Sequence, residues 1–126
     1  MSLAARPNVD IIVSGGHLRG GDLALSNGLA VKFFENLNAD LAFLGAGGID
    51  TSAGLTDYYF DEVVVRQTII ANSASSFVRA DSSKIGRIAR HRVARLGDLT
   101  GMVTASEPRA ALWAAFARAG GLLIVA

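Results

Sequence analysis

The sequence contains no cysteine and only two histidines. Without cysteine the chain has no disulfide framework and no metal site built on thiolates. His17 and His91 lie far apart and lack the spacing of a metal-binding pair. We therefore expect neither a structural metal nor a cofactor.

Long hydrophobic runs are also missing. No apolar segment approaches the ~20 residues that a helix needs to cross a bilayer. The first residues, Met1 to Asn8, lack the hydrophobic region of a secretory signal. These absences predict a cytoplasmic protein without a membrane partner.

The chain has little excess of charge. Twelve basic and eleven acidic side chains give a net charge of +1, which is too balanced for a domain dedicated to nucleic acid. The exception is a cluster of basic side chains between residues 84 and 95. A solvated surface is the simpler interpretation of this cluster, and contact with phosphate groups is the alternative. Its members are Lys84, Arg87, Arg90, His91, Arg92 and Arg95.

Apolar segments make up much of the remaining chain. Hydrophobic residues account for 51% of the 126 residues, so we expect one packed domain over residues 1–126. Short apolar runs bounded by glycine or polar residues predict five buried strands, in 9–16, 41–45, 75–80, 101–106 and 121–126. Such strands are typical of a parallel sheet.

Helical patterns alternate with these strands. An amphipathic helix is predicted after Ser26 or Asn27, a largely apolar one at about 58–72, and a third from Ser106 to Gly120. Within the second, Glu62 and Arg66 have the spacing of an ion pair. The alternation predicts an α/β fold with a mostly parallel sheet flanked by helices.

Three loops at the predicted carboxyl ends of strands carry polar groups, and in open α/β sheets ligands bind at that edge. Gly15 and Gly16 can turn backbone N–H groups toward an anion, with His17 and Arg19 following them. Either glycine could instead only make a tight turn, and His17 alone is weak support for a site.

The second and third loops add carboxylates and a lysine. Asp50 follows the second strand, and Asp81, Ser82, Ser83 and Lys84 follow the third. Carboxylates and hydroxyls suit sugar hydroxyls, and the lysine suits a phosphate. The simpler alternatives are an Asx-turn at Asp50 and capping of a helical turn at Asp81 or Ser82.

Five motifs follow one another along the chain: GGHLR (15–19), AFLGAGGID (42–50), GLT (54–56), Glu62 with Arg66, and ADSSKIGR (80–87). In this order they resemble the effector-sensing domain of DeoR-type bacterial transcriptional repressors. The resemblance implies a fold similar to ribose-5-phosphate isomerase and a phosphorylated sugar or related metabolite as the effector. It implies these pocket residues: Gly15, Gly16, Arg19, Asp50, Asp81, Ser82 and Lys84.

The resemblance also has departures. Members of the family carry an N-terminal helix-turn-helix, and their sensor domains begin with a strand and a phosphate loop that have no counterpart before Leu3. We therefore expect a fragment whose DNA binding depends on the missing N-terminal domain. Gln67 stands where the family often has a second basic residue after Arg66.

Two alternatives stay open. One is an isomerase-like enzyme, although Asp50 is the only acidic residue of its loop and no lysine follows shortly after it, so the base and oxyanion partner that isomerisation needs are incomplete. The other is an oligomerisation module, because strands without neighbours tend to pair with another chain. We expect the protein to form a homo-oligomer.

Overall fold

The computed structural model describes residues 17–19, 24–26, 28–105 and 110–125 as an α/β arrangement. The helices are α1 (Gly28–Glu35), α2 (Phe60–Ala71) and α3 (Ala110–Arg118). The strands are β1 (His17–Arg19), β2 (Ala24–Ser26), β3 (Ala39–Leu44), β4 (Gly48–Asp50), β5 (Gly54–Asp57), β6 (Ser73–Arg79), β7 (His91–Ala94), β8 (Gly101–Thr104) and β9 (Leu122–Val125).

A parallel sheet forms the centre of the described structure. Its four strands have the order β3-β6-β8-β9, and every neighbouring pair is parallel. α2 lies between β3 and β6 in the chain, and α3 lies between β8 and β9. The prediction of an α/β fold with a mostly parallel sheet is therefore confirmed.

The two faces of this sheet differ in burial. On the inner face, Val78 and Met102 are fully buried and Phe116 of α3 belongs to the same core cluster. On the other face, apolar side chains of β3 and β9 are largely exposed. We call this the outer sheet face, and its most exposed members are Leu41, Phe43, Leu122 and Ile124. Since parallel sheets normally have both faces covered, its exposure is unusual.

The second helix confirms the prediction for residues 58–72. Asp61 and Glu62 lie in its first turn, where carboxylates interact favourably with the helix dipole. The amide of Asn72, just after its last turn, donates to the carbonyl of Phe34 at 2.7 Å. This bond ties the end of α2 to α1, against which it packs.

A separate antiparallel sheet, β4-β5-β7, was not predicted. The glycine-rich stretch after β3 was expected to be a loop, but it folds into the hairpin of β4 and β5. β7 lies inside the basic cluster that was interpreted as a solvated surface. The buried hydroxyl of Thr56 connects the sheet to the chain before β7, since it donates to the carbonyl of Gly48 at 3.1 Å and accepts from the N–H of Ala89 at 2.8 Å.

The predicted third helix is confirmed over its described part. Leu112, Ala115 and Phe116 are buried. Gly120 ends the helix with φ +81°, and the N–H of Gly121 donates to the carbonyl of Phe116 at 2.8 Å. A left-handed glycine with such a bond is a common helix ending. The predicted cap at Ser106 lies outside the described residues.

The amino-terminal part is described only in pieces. β1 and β2 form a two-stranded antiparallel pair in which Leu18 lies opposite Leu25. α1 begins at Gly28, close to the start expected from Ser26 or Asn27. The predicted first strand, residues 9–16, lies outside the described residues. Among the helices that the structure describes, none is long and apolar enough to span a membrane.

Candidate ligand-binding cleft

An open cleft of about 600 Å³ lies at the carboxyl ends of three parallel strands. We call it the strand-end cleft. The loops that follow β3, β6 and β8 all contribute to it, as expected for an open α/β sheet. Its described lining residues are Phe43, Leu44, Gly45, Ala46, Arg79, Ala80, Asp81, Lys84, Val103, Thr104 and Ala105.

The turn after β6 supplies two polar groups of the cleft. The N–H of Ser83 donates to Oδ1 of Asp81 at 3.0 Å, and the Ser83 hydroxyl donates to the same oxygen. The N–H of Lys84 donates to the Asp81 carbonyl at 3.0 Å. The Ser83 hydroxyl is the main reason why the pKa of Asp81 lies below its ordinary value. Asp81 is thus held as an ionised hydrogen-bond acceptor at the cleft.

Lys84 is held by the antiparallel sheet through its backbone. Its carbonyl accepts from the N–H of Ile49 on β4 at 3.0 Å and from the N–H of Arg87 at 3.2 Å. The residue is half-buried, while Asp81 is exposed. Because Lys84 also lines the cleft, these bonds hold its backbone in a fixed position there.

Arg79 is a cleft residue that the sequence analysis did not single out. It is the last residue of β6 and is exposed. Its register partner on β8, Val103, also lines the cleft. The signal was available, because Arg79 is the last residue but one of a predicted strand and lies two residues before Asp81. Together Arg79 and Lys84 give the cleft two cationic groups beside one carboxylate.

The glycine-rich loop after β3 forms another wall. The N–H of Gly47 donates to the carbonyl of Thr56 at 3.1 Å. A Cβ on Gly47 would lie 3.0 Å from Cα of Asp57, so the loop packs too closely there for a larger residue. At Gly45, an added Cβ would lie 3.8 Å from Nη2 of Arg66. The glycine-rich loop therefore packs against Asp57 and Arg66.

Asp50 is placed in a different cavity from Asp81 and Lys84. It lines a small cavity of about 110 Å³ with Ile49, Ile85 and Gly86, among others. Its Oδ2 accepts from the N–H groups of Ser52 and Ala53, both at 3.0 Å, and from the Ser52 hydroxyl at 2.9 Å. This is the geometry of the Asx-turn alternative.

The same hydrogen bonds control the charge of Asp50. Donation from the N–H of Ala53 is the largest effect and lowers the pKa of Asp50. Burial opposes it, and the bonds from Ser52 lower the pKa further. A carboxylate held ionised in a turn is a poor general base, and Asp50 does not line the cleft that contains Lys84. The isomerase alternative, which relied on Asp50, gains no geometric support.

The remaining predicted residues are placed as follows. Ser82 is exposed in the turn beside Asp81 and is not among the lining residues of the cleft. Arg19 ends β1, and its side chain lies outside what the structure describes. Gly15 and Gly16 lie outside the described residues. A ligand role for these four residues stays a prediction.

Metal chemistry has no candidate centre in the described part of the chain. Within it, no group of three or more histidine, aspartate or glutamate side chains is placed to hold a metal ion. The polar groups of the strand-end cleft are instead two cations and a carboxylate. This combination suits a small molecule that carries both a negative group and hydroxyls.

Comparison with known families assigns the fold. Residues 1–106 match the family described as the DeoR C terminal sensor domain. The match ends before α3 and before β9, which is an edge strand of the same parallel sheet. The matched domain is a regulatory sensor, which argues against the isomerase alternative.

Curated relatives support the same assignment. The chain is 33% identical over 106 residues to the glycerol-3-phosphate regulon repressor of Haemophilus influenzae, which is 84% of this chain and 41% of that protein. It is 30% identical over 102 residues to the HTH-type transcriptional regulator FruR of Bacillus subtilis, covering 81% of this chain and 41% of that protein.

A third relative extends the match toward the carboxyl terminus. The chain is 26% identical over 120 residues to the HTH-type transcriptional regulator GolR of Listeria innocua, covering 95% of this chain and 47% of that protein. This chain thus spans less than half the length of the curated relatives that it matches. The resemblance seen in the sequence motifs is confirmed, and the chain belongs to the family of DeoR C-terminal sensor domains.

Proposed function

We propose that this chain is the ligand-sensing part of a DeoR-type transcriptional repressor and that the strand-end cleft binds a phosphorylated sugar or related metabolite. The observation that supports this most directly is the position of Arg79, Asp81 and Lys84 around one cleft. Operator binding belongs, in this proposal, to a helix-turn-helix outside this sequence. Such a regulator acts in the cytoplasm.

Each polar group has a separate role in this proposal. The ammonium group of Lys84 binds the phosphate, and the guanidinium of Arg79 adds a second, planar donor. The carboxylate of Asp81 accepts hydrogen bonds from ligand hydroxyls. Its Oδ1 already accepts from Ser83, which fixes its orientation and leaves Oδ2 for the ligand.

The names of the relatives favour a small polyol phosphate. Two of the relatives, in Haemophilus influenzae and Escherichia coli, are named as repressors of the glycerol-3-phosphate regulon. Glycerol 3-phosphate combines a phosphate with hydroxyls, which is the combination that Lys84 and Asp81 would recognise. We extend to this chain only the ligand class, a phosphorylated polyol.

Ligand binding can regulate only if two states of the protein bind the ligand with different affinity. The cleft is formed by loops from both sheets, since Lys84 is bonded to β4 while Asp81 follows β6. A ligand that contacts Lys84 and Arg79 together would favour one relative position of these loops. We propose this coupling as the route by which occupancy reaches the rest of the protein.

The test is isothermal titration of the chain with glycerol 3-phosphate, ribose 5-phosphate and their unphosphorylated counterparts. We expect binding only of the phosphorylated compounds. Lys84→Gln should weaken it by about 10-fold or more, the value of a lost charged hydrogen bond. Lys32→Gln is the matched control, since Lys32 is exposed on α1. Equal binding of both compound types, or equal effects of the two variants, would refute the proposal.

Self-association is a second candidate function, favoured by the outer sheet face. Phe43 is 65% exposed and Leu122 is 56% exposed, and the ring of Phe43 stacks on Phe77 at 6.0 Å. Among the described strands, β3 pairs only with β6, so its other edge has no strand neighbour there. Exposed apolar surface beside such an edge favours pairing with a second copy.

Light scattering after size exclusion tests this candidate. We expect the chain to form a dimer or larger species and Phe43→Ser to shift it toward the monomer. The matched control is Trp113→Ser, a change to an exposed aromatic residue of α3. A strict monomer at all concentrations would reject self-association of this chain.

A further inference from the structure

A second concave surface, outside the strand-end cleft, collects positive charge. It is an open groove of about 440 Å³ between the β4–β5 turn, β7 and α3. We call it the arginine groove. It shares no lining residue with the strand-end cleft. Its described lining residues are Thr51, Ser52, Arg92, Arg95, Leu96, Ala115, Arg118 and Ala119.

Arg92 is anchored on the groove wall. Its Nε–H donates to the carbonyl of Ala53 at 3.1 Å. The carbonyl of Arg92 accepts from the amide of Gln67 at 3.4 Å, which connects β7 to α2. A guanidinium held through Nε keeps its two terminal nitrogens for another partner. Because the side chain is already ordered, binding through these nitrogens costs less conformational entropy.

Arg95 and Arg118 come from two segments that are packed together. Arg95 precedes the short 3₁₀ turn of Leu96–Asp98, and its N–H donates to the carboxylate of Asp98 at 3.0 Å. A Cβ on Gly97 would lie 3.8 Å from Cβ of Ala119, so this turn lies against the end of α3. Arg118 is in the last turn of α3. The packing brings the two arginines to the same groove.

The groove has an unbalanced charge. Three guanidiniums line it, and no carboxylate is among its described lining residues. The carboxylates of Asp98 and Asp50 lie beside the groove without lining it, and each accepts hydrogen bonds from backbone N–H groups, Asp98 from Arg95 and Asp50 from Ser52 and Ala53. Like charges brought together repel one another. A bound anion would relieve this repulsion. The excess of positive charge is local to the groove, since the net charge of the whole chain is only +1.

We propose that the arginine groove is a second anion site, which binds a small molecule carrying two or more phosphate groups. Guanidiniums bind phosphate oxygens in pairs through parallel N–H bonds. The hydroxyl of Thr51 adds a donor at the turn, whereas the hydroxyl of Ser52 already donates to Asp50 at 2.9 Å. The three arginines surround one concave volume, which matches the clustered charge of a diphosphate better than phosphates spread along a nucleic-acid strand. This site is independent of the ligand proposed for the strand-end cleft.

Titration of the chain with inorganic pyrophosphate and inorganic phosphate tests the site. We expect pyrophosphate to bind more tightly, because it can contact two arginines at once. The double variant Arg95→Gln/Arg118→Gln should weaken pyrophosphate binding about 10-fold or more. The matched control is Arg87→Gln/Arg90→Gln, which removes the same charge from exposed arginines that line neither cavity.

Three results would overturn the proposal. The first is that both double variants weaken pyrophosphate binding equally, and the second is that Arg95→Gln/Arg118→Gln binds pyrophosphate as well as the wild type does. The third is that a short DNA duplex binds through the groove while pyrophosphate does not bind. If the double variant does not fold by circular dichroism, Arg118→Gln alone replaces it with Arg90→Gln as control. Lys32→Gln, at a position that lines neither cavity, should leave pyrophosphate binding unchanged. Lys84→Gln is tested with glycerol 3-phosphate, so failure of this site and failure of the strand-end cleft are distinguishable.

Discussion

Arg66 on α2 forms an ion pair with Asp57 at the end of β5, through Nη1 and Oδ2. The Asp57 side chain is 6% exposed and that of Arg66 is 22% exposed. The other carboxylate oxygen of Asp57 accepts from the N–H of Tyr58 at 2.8 Å. The pair connects α2 to the antiparallel sheet, directly behind the glycine-rich wall of the strand-end cleft. The spacing along the helix had suggested Glu62 as a partner of Arg66, and that pairing stays a prediction.

Breaking this pair should destabilise the protein strongly. Arg66→Gln leaves the buried Asp57 carboxylate without its cation, and we expect a loss of about 3 kcal/mol in the free energy of unfolding. Urea denaturation measures it, with the exposed Arg90→Gln as control. The double variant Asp57→Asn/Arg66→Gln should cost less than the sum of the single changes. A loss below about 0.5 kcal/mol for Arg66→Gln would place this pair among weak surface pairs.

Gly54 should be intolerant of any side chain. Its φ is +78°, and an added Cβ would lie 2.3 Å from the carbonyl oxygen of Ala94 on the neighbouring strand. The left-handed conformation alone costs about 1–2 kcal/mol for a residue with a Cβ. We therefore expect Gly54→Ala to lower the free energy of unfolding by more than about 2 kcal/mol, because the clash adds to this strain.

Gly120 supplies the matched control for Gly54. Its φ is +81°, but an added Cβ would meet nothing within 4 Å. Gly120→Ala should therefore lose only about 1 kcal/mol, from the backbone conformation alone. Urea denaturation of both variants separates the two contributions. Equal losses would show that β7 moves away to accommodate the methyl group at Gly54.

The parallel sheet was predictable because its strands are continuous apolar runs and its helices have a clear apolar stripe. The antiparallel sheet was not, since β4 and β5 are three and four residues long and lie in a glycine-rich stretch. β7 has the sequence HRVA among arginines, a pattern that also fits a solvated surface. Its burial comes from pairing with β5, which local sequence does not reveal.

Asp50 should contribute to stability in a pH-dependent way. Its pKa is lowered from 3.8, mainly by the N–H of Ala53. A group whose pKa is lower in the folded state stabilises the fold above its unfolded-state pKa and loses this contribution as the pH falls through the folded-state value. Asp50→Asn should therefore cost about 1 kcal/mol near neutral pH, similar to the loss of a helix cap.

The direction of this pH dependence gives a direct test. The difference between the wild type and Asp50→Asn should be constant above about pH 4 and should shrink below it. Urea denaturation between pH 7 and pH 3 measures it, with Asp40→Asn, which removes a carboxylate from an exposed position of β3, as the matched control. A difference that grows as the pH falls would contradict the assignment of the ionised carboxylate to the turn.

The candidate cleft was only partly predictable. The sequence located Asp81 and Lys84 correctly at the end of a strand, because the carboxyl ends of parallel strands share one edge. It did not separate Asp50 from them, since the hairpin of β4 and β5 carries the residue toward Ile85 and Gly86. It also omitted Arg79, whose position inside a predicted strand concealed its exposure at the strand end.

The carboxyl-terminal helix, which the family match does not cover, should be part of the core. Phe116 is 1% exposed and belongs to the same cluster as Val78 and Met102 of the parallel sheet. Removing a buried phenylalanine side chain costs about 3–5 kcal/mol, and we expect Phe116→Ala to fall in this range by urea denaturation. Trp113→Ala removes a larger side chain from a position of the same helix that is 36% exposed, and it should cost less than Phe116→Ala because part of that side chain is already in contact with water. The opposite order would mean that α3 packs on the sheet through its other side, which would also displace Arg118 from the arginine groove.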